Sequence, residues 1–380
     1  MHVVTEIAGF GTSLGGYIIP FLFVLTIVVF FHELGHFLVA RWCGVKVDTF
    51  SIGFGREIFG RVDRHGTRWK VSWIPLGGYV KFAGDDNAAS VPDMDKLSHI
   101  PPEQRAGLFF YKPLYQRAAV VAAGPIANFL LAIVIFAGIF TIIGQGTATA
   151  VVDKVQPDSA AAAAGFLPDD LIVSINGATI NDFEDMQRVV SISADVPLKF
   201  GIMRDGREIT LTATPRLETI KDPFGNDQRI GLLGIQRKSG PGTYKIVKTD
   251  PLTGLWHGTK ETWFIIDRTF NYLGGMITGR EDSSQLGGPL RIAEVSGQVA
   301  TLGFAALLNL AAVLSVSIGL LNLFPVPMLD GGHLLYYAVE GVRGRPMGQR
   351  AQEYGFRIGL VLVMMLMFFA TWNDLVRLLT

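Results

Sequence analysis

Four apolar runs divide this sequence, and each approaches or exceeds the length of about 20 residues that an α-helix needs to cross a bilayer. They cover residues 17–40, 118–143, 305–324 and 358–372. More polar segments separate them, and the longest runs from residue 144 to about residue 303. The pattern predicts a polytopic α-helical membrane protein with four transmembrane helices.

Lysine and arginine are distributed unevenly around these runs. The first 40 residues contain neither, whereas residues 41–117 contain twelve against eight Asp and Glu, and residues 343–357 form a second basic loop. Since basic loops stay cytoplasmic, we expect both loops inside, and both termini and residues 144–303 outside. The first run lacks a basic n-region and an A-x-A-like cleavage site, so we expect it to be retained as a span.

The first basic loop contains no long apolar run; polar and apolar positions alternate in it instead. Residues 45–82 are rich in β-branched and aromatic residues and are punctuated by Gly66, Gly77 and Gly78, a pattern typical of β-hairpins. The sequence therefore predicts a cytoplasmic, membrane-associated β region whose edge strand could pair with an unwound substrate. The alternative is a simple cytoplasmic β subdomain.

The long outer segment predicts a compact α+β unit. We expect a strand near Ala150, a short helix near Ser159, a strand over 171–175, a helix from Asp182 and a hairpin turning at Asp205-Gly206. The stretch AAAAGFLPDDLIVSINGATI resembles a PDZ domain, a fold that captures peptide ends by strand addition. We place one copy at residues 145–235, with a non-binding folded spacer as the alternative.

Residues 252–276 form an amphipathic stretch. It contains aromatic residues such as Trp256 and Trp263 together with four charged residues. The charges argue against a fifth span and favour an interfacial helix. We therefore assign residues 236–303 to an extracytoplasmic segment that contains this helix.

Composition supports a mixed membrane and aqueous protein. Of 380 residues, 49% are hydrophobic and 17% are charged, so the chain is too apolar for an ordinary soluble protein and too charged to lie wholly in lipid. The formal net charge is zero, which gives no basic field for nucleic acid. Cys43 is the single cysteine, so no internal disulfide is possible.

Ionisable residues interrupt the first apolar run near its inner end, where they are costly to bury. His32, Glu33 and His36 form an H-E-x-x-H motif. On a helix, residues four apart share one face, so the two histidines can bind one zinc ion while Glu33 reaches the water on that metal as general base. The alternatives are a chance occurrence of the five residues and a proton-relay cluster.

A hydrolytic zinc site usually has three protein ligands and one open position. The candidate for the third ligand is Asp330, in the stretch NLFPVPMLDGGH after the third apolar run. Pro325 and Pro327 break that helix, which is tolerated where protein or a water-filled cavity surrounds the freed backbone. Both helices run from outside to inside, so the histidines and Asp330 reach one depth.

Three motifs in this order carry a family resemblance: HELGH in the first span, GPIAN (residues 124–128) in the second and NLFPVPMLDGGH in the third. The chain resembles the site-2 protease family of intramembrane zinc metalloproteases, in particular its bacterial regulator-of-sigma-E branch. The resemblance extends over essentially the whole chain. It implies Zn²⁺ on His32, His36 and Asp330, Glu33 as the base and a substrate-handling role for Asn322.

The resemblance also implies partners and a location. The expected substrates are single-span membrane proteins, in particular a membrane-anchored anti-sigma factor already trimmed by another protease, with remnant signal peptides as further candidates. The expected location is the bacterial inner membrane, with the PDZ domain in the periplasm. Residues 1–143 would then hold the first two spans with the H-E-x-x-H motif, and residues 304–380 the last two with the third ligand.

Two other classes of function compete with the protease. A PDZ-bearing adaptor has no need of Glu33 beside a full ligand set, and a transporter would spread polar groups over the whole membrane depth. Four other histidines belong to no ligand set that the sequence suggests, and we interpret them as non-ligands: His65, His99, His257 and His333.

Overall fold

The computed structural model describes residues 2–84, 105–221, 227–237, 244–279 and 287–379. The chain forms two compact units. The membrane unit comprises Met1–Phe136, Leu255–Thr269 and Asp282–Thr380, and the α+β unit comprises Ala137–Gly254 and Phe270–Glu281. His99 lies outside the described residues.

The described helices, in chain order, are α1 (His2–Trp42), α2 (Leu114–Gly138), α3 (Ala160–Ala164), α4 (Phe183–Ser191), α5 (Pro251–Ile277), α6 (Pro289–Ala300), α7 (Phe304–Asn322), α8 (Asp330–Arg343) and α9 (Gln349–Leu379). A single π-helical turn, Ile139–Ile143, continues α2. The strands are β1 (Val47–Val62), β2 (Arg68–Phe82), β3 (Gln145–Ala148), β4 (Val152–Val155), β5 (Leu171–Ile175), β6 (Ala178–Thr179), β7 (Leu198–Arg204), β8 (Arg207–Ala213), β9 (Arg216–Lys221), β10 (Asp227–Leu232), β11 (Ile235–Arg237) and β12 (Tyr244–Val247).

Four of the described helices are long and apolar enough to cross a membrane. They lie at Gly15–Trp42, Leu114–Ile143, Phe304–Asn322 and Arg350–Arg377. The four predicted spans are therefore confirmed by length and composition. The first and fourth helices extend beyond their apolar runs at both ends, because a helix continues into polar sequence until a breaker or cap ends it. The third ends at Asn322, two residues before the end of its run.

The predicted β-hairpin is present as β1 and β2, which pair antiparallel. The pairing differs from that of a simple hairpin, because part of β1 pairs with both ends of β2. Phe50, for example, pairs with Val80 as well as with Trp69. Phe50 and Trp69 stack at 4.3 Å between ring centroids, and Phe37 of α1 contacts both rings edge-on. This aromatic cluster fixes the hairpin against the C-terminal part of α1.

Helix α6 is fixed at both ends within the membrane unit. The buried carboxylate of Asp374, on α9, accepts hydrogen bonds from the backbone N–H groups of Gly288 and Arg291 at 3.0 Å, which caps the N-terminus of α6. Near its other end, a Cβ at Gly297 would lie 2.1 Å from the ring of Tyr17. Only glycine lets α6 approach α1 so closely.

Helix α9 also contacts the segment that precedes α8. A Cβ at Gly359 would lie 1.5 Å from the carbonyl oxygen of Pro327, and one at Gly355 would lie 1.9 Å from the hydroxyl of Tyr336. The two glycines are four residues apart and share one face, as in the small-xxx-small contacts of membrane helices. They bring the α9 backbone against the Pro327 segment.

The α+β unit contains the elements that the sequence predicts for its segment. Ser159 caps α3 and Asp182 caps α4, each by accepting a backbone hydrogen bond three residues ahead. β7 and β8 form a hairpin whose turn residues, Asp205 and Gly206, both have positive φ. A buried core that includes Ile172, Phe200 and Ile202 lies between the four-stranded sheet β6-β5-β7-β8 and the helices.

Helix α5 covers the stretch that we expected to be an interfacial helix. Asp250 caps it by accepting hydrogen bonds from Leu252 and Thr253 at 3.1 Å. Trp256 and Trp263 are largely exposed. The helix itself is confirmed, and it is not among the four described helices that are apolar enough to span a membrane.

Candidate metal centre

Three side chains that the sequence singled out come together in the membrane unit. His32 and His36 lie one turn apart on α1, and Asp330 is the first residue of α8. The Oδ2 atom of Asp330 lies 3.2 Å from His32 Nε2 and 3.5 Å from His36 Nε2, and the two Nε2 atoms are 3.2 Å apart. Within the described residues, this is the one group of three His, Cys, Asp or Glu side chains whose possible ligand atoms all lie within 4.8 Å of one another.

The segment before Asp330 turns sharply, and two glycines make the turn possible. A Cβ at Gly331 would lie 2.3 Å from the carbonyl oxygens of Leu323 and Phe324, and one at Gly332 would lie 2.3 Å from that of Val326. Any larger residue would push α8 away from the end of α7. The glycines of LDGGH therefore allow α8 to begin where Asp330 reaches the two histidines.

Close packing of α2 on α1 completes the surroundings of the histidines. A Cβ at Gly35 would lie 2.3 Å from the carbonyl oxygen of Ala123. A Cβ at Gly124 would lie 2.3 Å from His36 Nε2 and 2.9 Å from His32 Cε1. Gly124, in the GPIAN motif, thus leaves room for both imidazole rings, a role that sequence reasoning missed.

Each imidazole ring also contacts one group on α2 through its Nδ1 atom, on the side away from Asp330. His36 Nδ1 lies 2.8 Å from the carbonyl oxygen of Val120, and the side-chain amide of Asn128 lies 3.2 Å from His32 Nδ1. Sequence reasoning gave Asn128 no role of its own. Its position in the GPIAN motif was the available signal.

The three groups fit a zinc ion. Asp330 Oδ2 is buried and receives no hydrogen bond, although two ring nitrogens face it. Two imidazoles and one carboxylate, all converging on one point, form the nitrogen and oxygen ligand set that zinc accepts in hydrolytic sites. A cation at this point would satisfy the carboxylate and both nitrogen lone pairs.

Glu33 lies beside this group and faces β2. A Cβ at Gly78 would lie 3.0 Å from Glu33 Cγ, and the backbone of Val80 interacts with the Glu33 carboxylate. Glu33 is not a member of the three-residue ligand group. The β region and the candidate base are therefore direct neighbours.

The amide of Asn322 donates a hydrogen bond to the carbonyl oxygen of Ile318 on its own helix, at 3.1 Å. Its expected role in substrate handling stays a prediction. Among the described histidines, His65 lies in the hairpin turn, His257 on α5 and His333 on α8, and none belongs to the three-residue group.

Asp63 ties the hairpin turn to the end of α1. Its carboxylate accepts hydrogen bonds from the Arg41 side chain at 2.8 Å and from the backbone N–H groups of His65 and Thr67 at 2.8 and 3.0 Å. Burial alone would raise the pKa of Asp63, but these hydrogen bonds, together with one from the Trp69 side chain, lower it to about 2. Asp63 therefore stays charged and fixes the hairpin to the helix that carries both histidines.

A second ion pair links α2 to α8. Arg117 and Glu340 are 2.5 Å apart and are both largely buried. The Arg117 guanidinium also lies over the ring of Tyr337, 4.9 Å from its centroid. These contacts hold the helix that begins with Asp330 against the helix that carries Gly124 and Asn128.

Comparison with known proteins gives a match along most of the chain. The sequence profile of peptidase family M50 matches residues 20–366. An Agrobacterium fabrum protein, provisionally named a zinc metalloprotease, is 51% identical over 375 residues, 99% of each chain. A similarly named protein of Rhizobium meliloti is 52% identical over 360 residues, covering 94% of this chain and 96% of its own. The metalloprotease MmpA of Caulobacter vibrioides is 42% identical over 382 residues, 95% of each chain.

Proposed function

Because the chain belongs to peptidase family M50, the site-2 protease family of membrane zinc metalloproteases, we propose that it performs regulated intramembrane proteolysis. Its substrates would be single-span membrane proteins, cut within or near the bilayer. The observation that carries this proposal is the meeting of His32, His36 and Asp330, with Glu33 beside them, at one end of an apolar helix long enough to span a membrane.

The roles of the site residues follow from their chemistry. His32, His36 and Asp330 would hold the zinc ion, which lowers the pKa of a water molecule and polarises the scissile carbonyl. Glu33 is the general base: its carboxylate takes a proton from the attacking water and returns it to the leaving nitrogen. A charged base is costly at membrane depth, so its presence beside the ligand group supports catalysis.

The β region supplies an edge for the substrate backbone. Residues 78–82 pair with residues 47–52 on one side, and no strand of the described residues pairs with their other side. Gly78 and Val80 of this edge are the neighbours of Glu33. A helical substrate must unwind before cleavage, and strand addition here would give its freed backbone new hydrogen bonds close to the base.

The outer surface of the hairpin supports its association with the membrane. Its exposed apolar side chains include Phe54, Ile58, Phe59, Trp73, Ile74 and Leu76. Such a concentration on one hairpin is unusual for a surface that faces water only and is typical of a membrane or protein contact. We assign it to the cytoplasmic face of the inner membrane.

The α+β unit would act as a PDZ domain in the periplasm. Its β4, β5, β7 and β8 strands and its capped helices α3 and α4 occur in the order expected from the PDZ-like stretch. This fold captures peptide ends by strand addition, and cleavage by a first protease would expose such an end. An anti-sigma factor trimmed on the periplasmic side would present such an end, and a remnant signal peptide would need no further trimming.

The test is cleavage by the purified full chain in detergent or lipid. We expect a panel of single-span segments to be cut within or next to the apolar stretch, as located by mass spectrometry. We expect about one zinc per chain, and less in Asp330→Asn, since a charged ligand is replaced by a weaker neutral one. Full zinc occupancy in a chain that carries both His32→Ala and Asp330→Ala would contradict the metal site.

A further inference from the structure

Val120, Gly124 and Asn128 occupy one face of α2, because they are spaced four residues apart. This face receives both histidines of the metal centre. Gly124 leaves the space for the rings, and its two neighbours on the face contact the Nδ1 atoms of His36 and His32. Each histidine therefore has its Nε2 directed at Asp330 and its Nδ1 directed at α2.

The contact of His36 with Val120 shows which tautomer a histidine needs in order to bind a metal through Nε2. A backbone carbonyl oxygen only accepts hydrogen bonds, so the contact of Val120 with His36 Nδ1 places the ring proton on Nδ1. A neutral imidazole carries one proton, so Nε2 then has a free lone pair. That lone pair is the one that a metal at Asp330 would use.

His32 needs the same arrangement, since its Nε2 also faces Asp330. Its Nδ1 must therefore carry the proton, and the atom facing Nδ1 must be an acceptor. Asn128 offers both kinds of atom, because a half-turn of its amide exchanges oxygen and nitrogen with almost no change of shape. The structure places Asn128 Nδ2, a donor, 3.2 Å from His32 Nδ1. A zinc-ready ring carries its proton on Nδ1 and would set a donor against that donor, so it requires the amide turned by half.

The surroundings of Asn128 allow the required orientation. Asn128 is fully buried, and its Oδ1 has no hydrogen-bond partner among the described residues, so no partner of the oxygen opposes the half-turn. The backbone is held separately: Ser315 of α7 donates a hydrogen bond to the Asn128 carbonyl oxygen at 2.9 Å, and Gly319 brings α7 close. The backbone is thus fixed in place. Among the described residues, the side-chain amide contacts His32 Nδ1 through Nδ2, and the half-turn replaces this contact by one through Oδ1.

We propose that Asn128 is a positioning residue of the metal centre: its Oδ1 accepts the Nδ1–H of His32 and thereby holds the tautomer whose Nε2 binds the ion. The inference rests on the proposed function, since it assumes the ligand role of His32. Partners of this kind, acting behind a metal ligand, typically contribute 10- to 100-fold in metal affinity.

The first test measures zinc affinity of full-length, detergent-purified chains by competition with a chelator. Asn128→Leu keeps the volume and removes the acceptor, so its zinc affinity should fall by about 10- to 100-fold. Asn128→Asp keeps only acceptor atoms and should bind zinc at least as tightly as Asn128 does. Ser315→Ala is the matched control, because it removes a buried hydrogen bond to Asn128 without touching His32, and its affinity should stay within about threefold.

The second test needs no substitution. In wild-type protein stripped of metal by chelator, the ¹⁵N chemical shifts of the His32 ring should place its proton on Nδ1. A proton on Nε2 would overturn the inference, as would wild-type affinity in Asn128→Leu or an equal loss in the Asp and Leu variants. A wild-type chain that binds no zinc would overturn the proposed metal site, whereas the other outcomes bear on Asn128 alone.

Discussion

Glu33 directly follows His32 on α1, yet it lies outside the group of three candidate ligands and faces Gly78. Glu33→Gln should therefore keep the helix, the zinc and the fold while removing the group that accepts the proton of water. General bases typically contribute about 10²- to 10⁴-fold, so cleavage should fall by at least that factor while substrate still binds.

The measurement is zinc content and cleavage on the same preparation of Glu33→Gln and of wild type. Near-normal cleavage with zinc retained would remove Glu33 from the role of base. A parallel loss of zinc and activity would give it a structural role instead.

Asp63 gives a prediction about pH. Its pKa is lowered to about 2 in the folded chain, below an unperturbed value of about 3.9. The stabilisation from its charge is therefore complete above about pH 4 and is lost as the pH falls toward 2. Asp63→Asn should lower the midpoint of thermal unfolding in detergent at pH 6, and the difference from wild type should shrink at pH 3. A difference that does not depend on pH would contradict the charge-based account.

Sequence spacing was enough to find some of the site residues. His32, Glu33 and His36 could be selected because helix periodicity is local and a charged group in an apolar run needs a reason. Gly124 and Asn128 lie in the GPIAN motif, but their roles could not be assigned, because these roles depend on how closely α2 approaches α1. A single sequence contains no direct information on the distance between two helices.

The same limit applies to the secondary-structure elements. Caps and turns such as Ser159, Asp182 and Asp205-Gly206 were predictable because their chemistry is confined to a few neighbouring residues. The pairing of residues 47–52 with both ends of β2 was not predictable, because alternation of polar and apolar residues identifies a strand but not the strand with which it pairs. The contact of α9 with the Pro327 segment was also missed, since Gly355 and Gly359 look like ordinary glycines of a membrane helix.

This contact of α9 leads to a prediction about the metal centre. Gly359→Leu places side-chain atoms where the carbonyl oxygen of Pro327 lies, so the helix or the segment must move. Overpacking of this kind typically costs about 1–3 kcal/mol. Because Asp330 follows Pro327 by three residues, zinc affinity should fall together with stability. Gly138→Leu is the control, since a Cβ at Gly138 meets nothing within 4 Å. Equal zinc affinities in the two variants would contradict a positioning role for α9.

At the scale of the whole molecule, the charge pattern predicts a topology that accessibility can test. Single cysteines introduced at His65 and Gly344, in a Cys43→Ser background, should be protected from a membrane-impermeant reagent in intact cells. A cysteine at Asp205 should react once the outer membrane is made permeable. An externally reactive His65→Cys would invert the arrangement and place the metal centre at the opposite face.

The last prediction concerns the α+β unit as a filter for substrates. β3 and β12, near the first and last residues of the segment 137–254 of this unit, pair antiparallel, with Ala148 opposite Tyr244. Residues 151–237 can therefore be replaced by a short Gly-Ser linker that joins two already adjacent strands, and β3 and β12 remain as a stem. None of the residues removed belongs to the metal centre, so zinc content should stay at the wild-type level. If the domain admits only trimmed chains, the deletion should cut trimmed and untrimmed single-span substrates at similar rates, whereas wild type should prefer the trimmed form. The comparison is the ratio of the two cleavage rates in each protein. An unchanged ratio, with zinc and overall activity retained, would show that the domain serves as a spacer and that selection occurs at the edge strand beside Glu33.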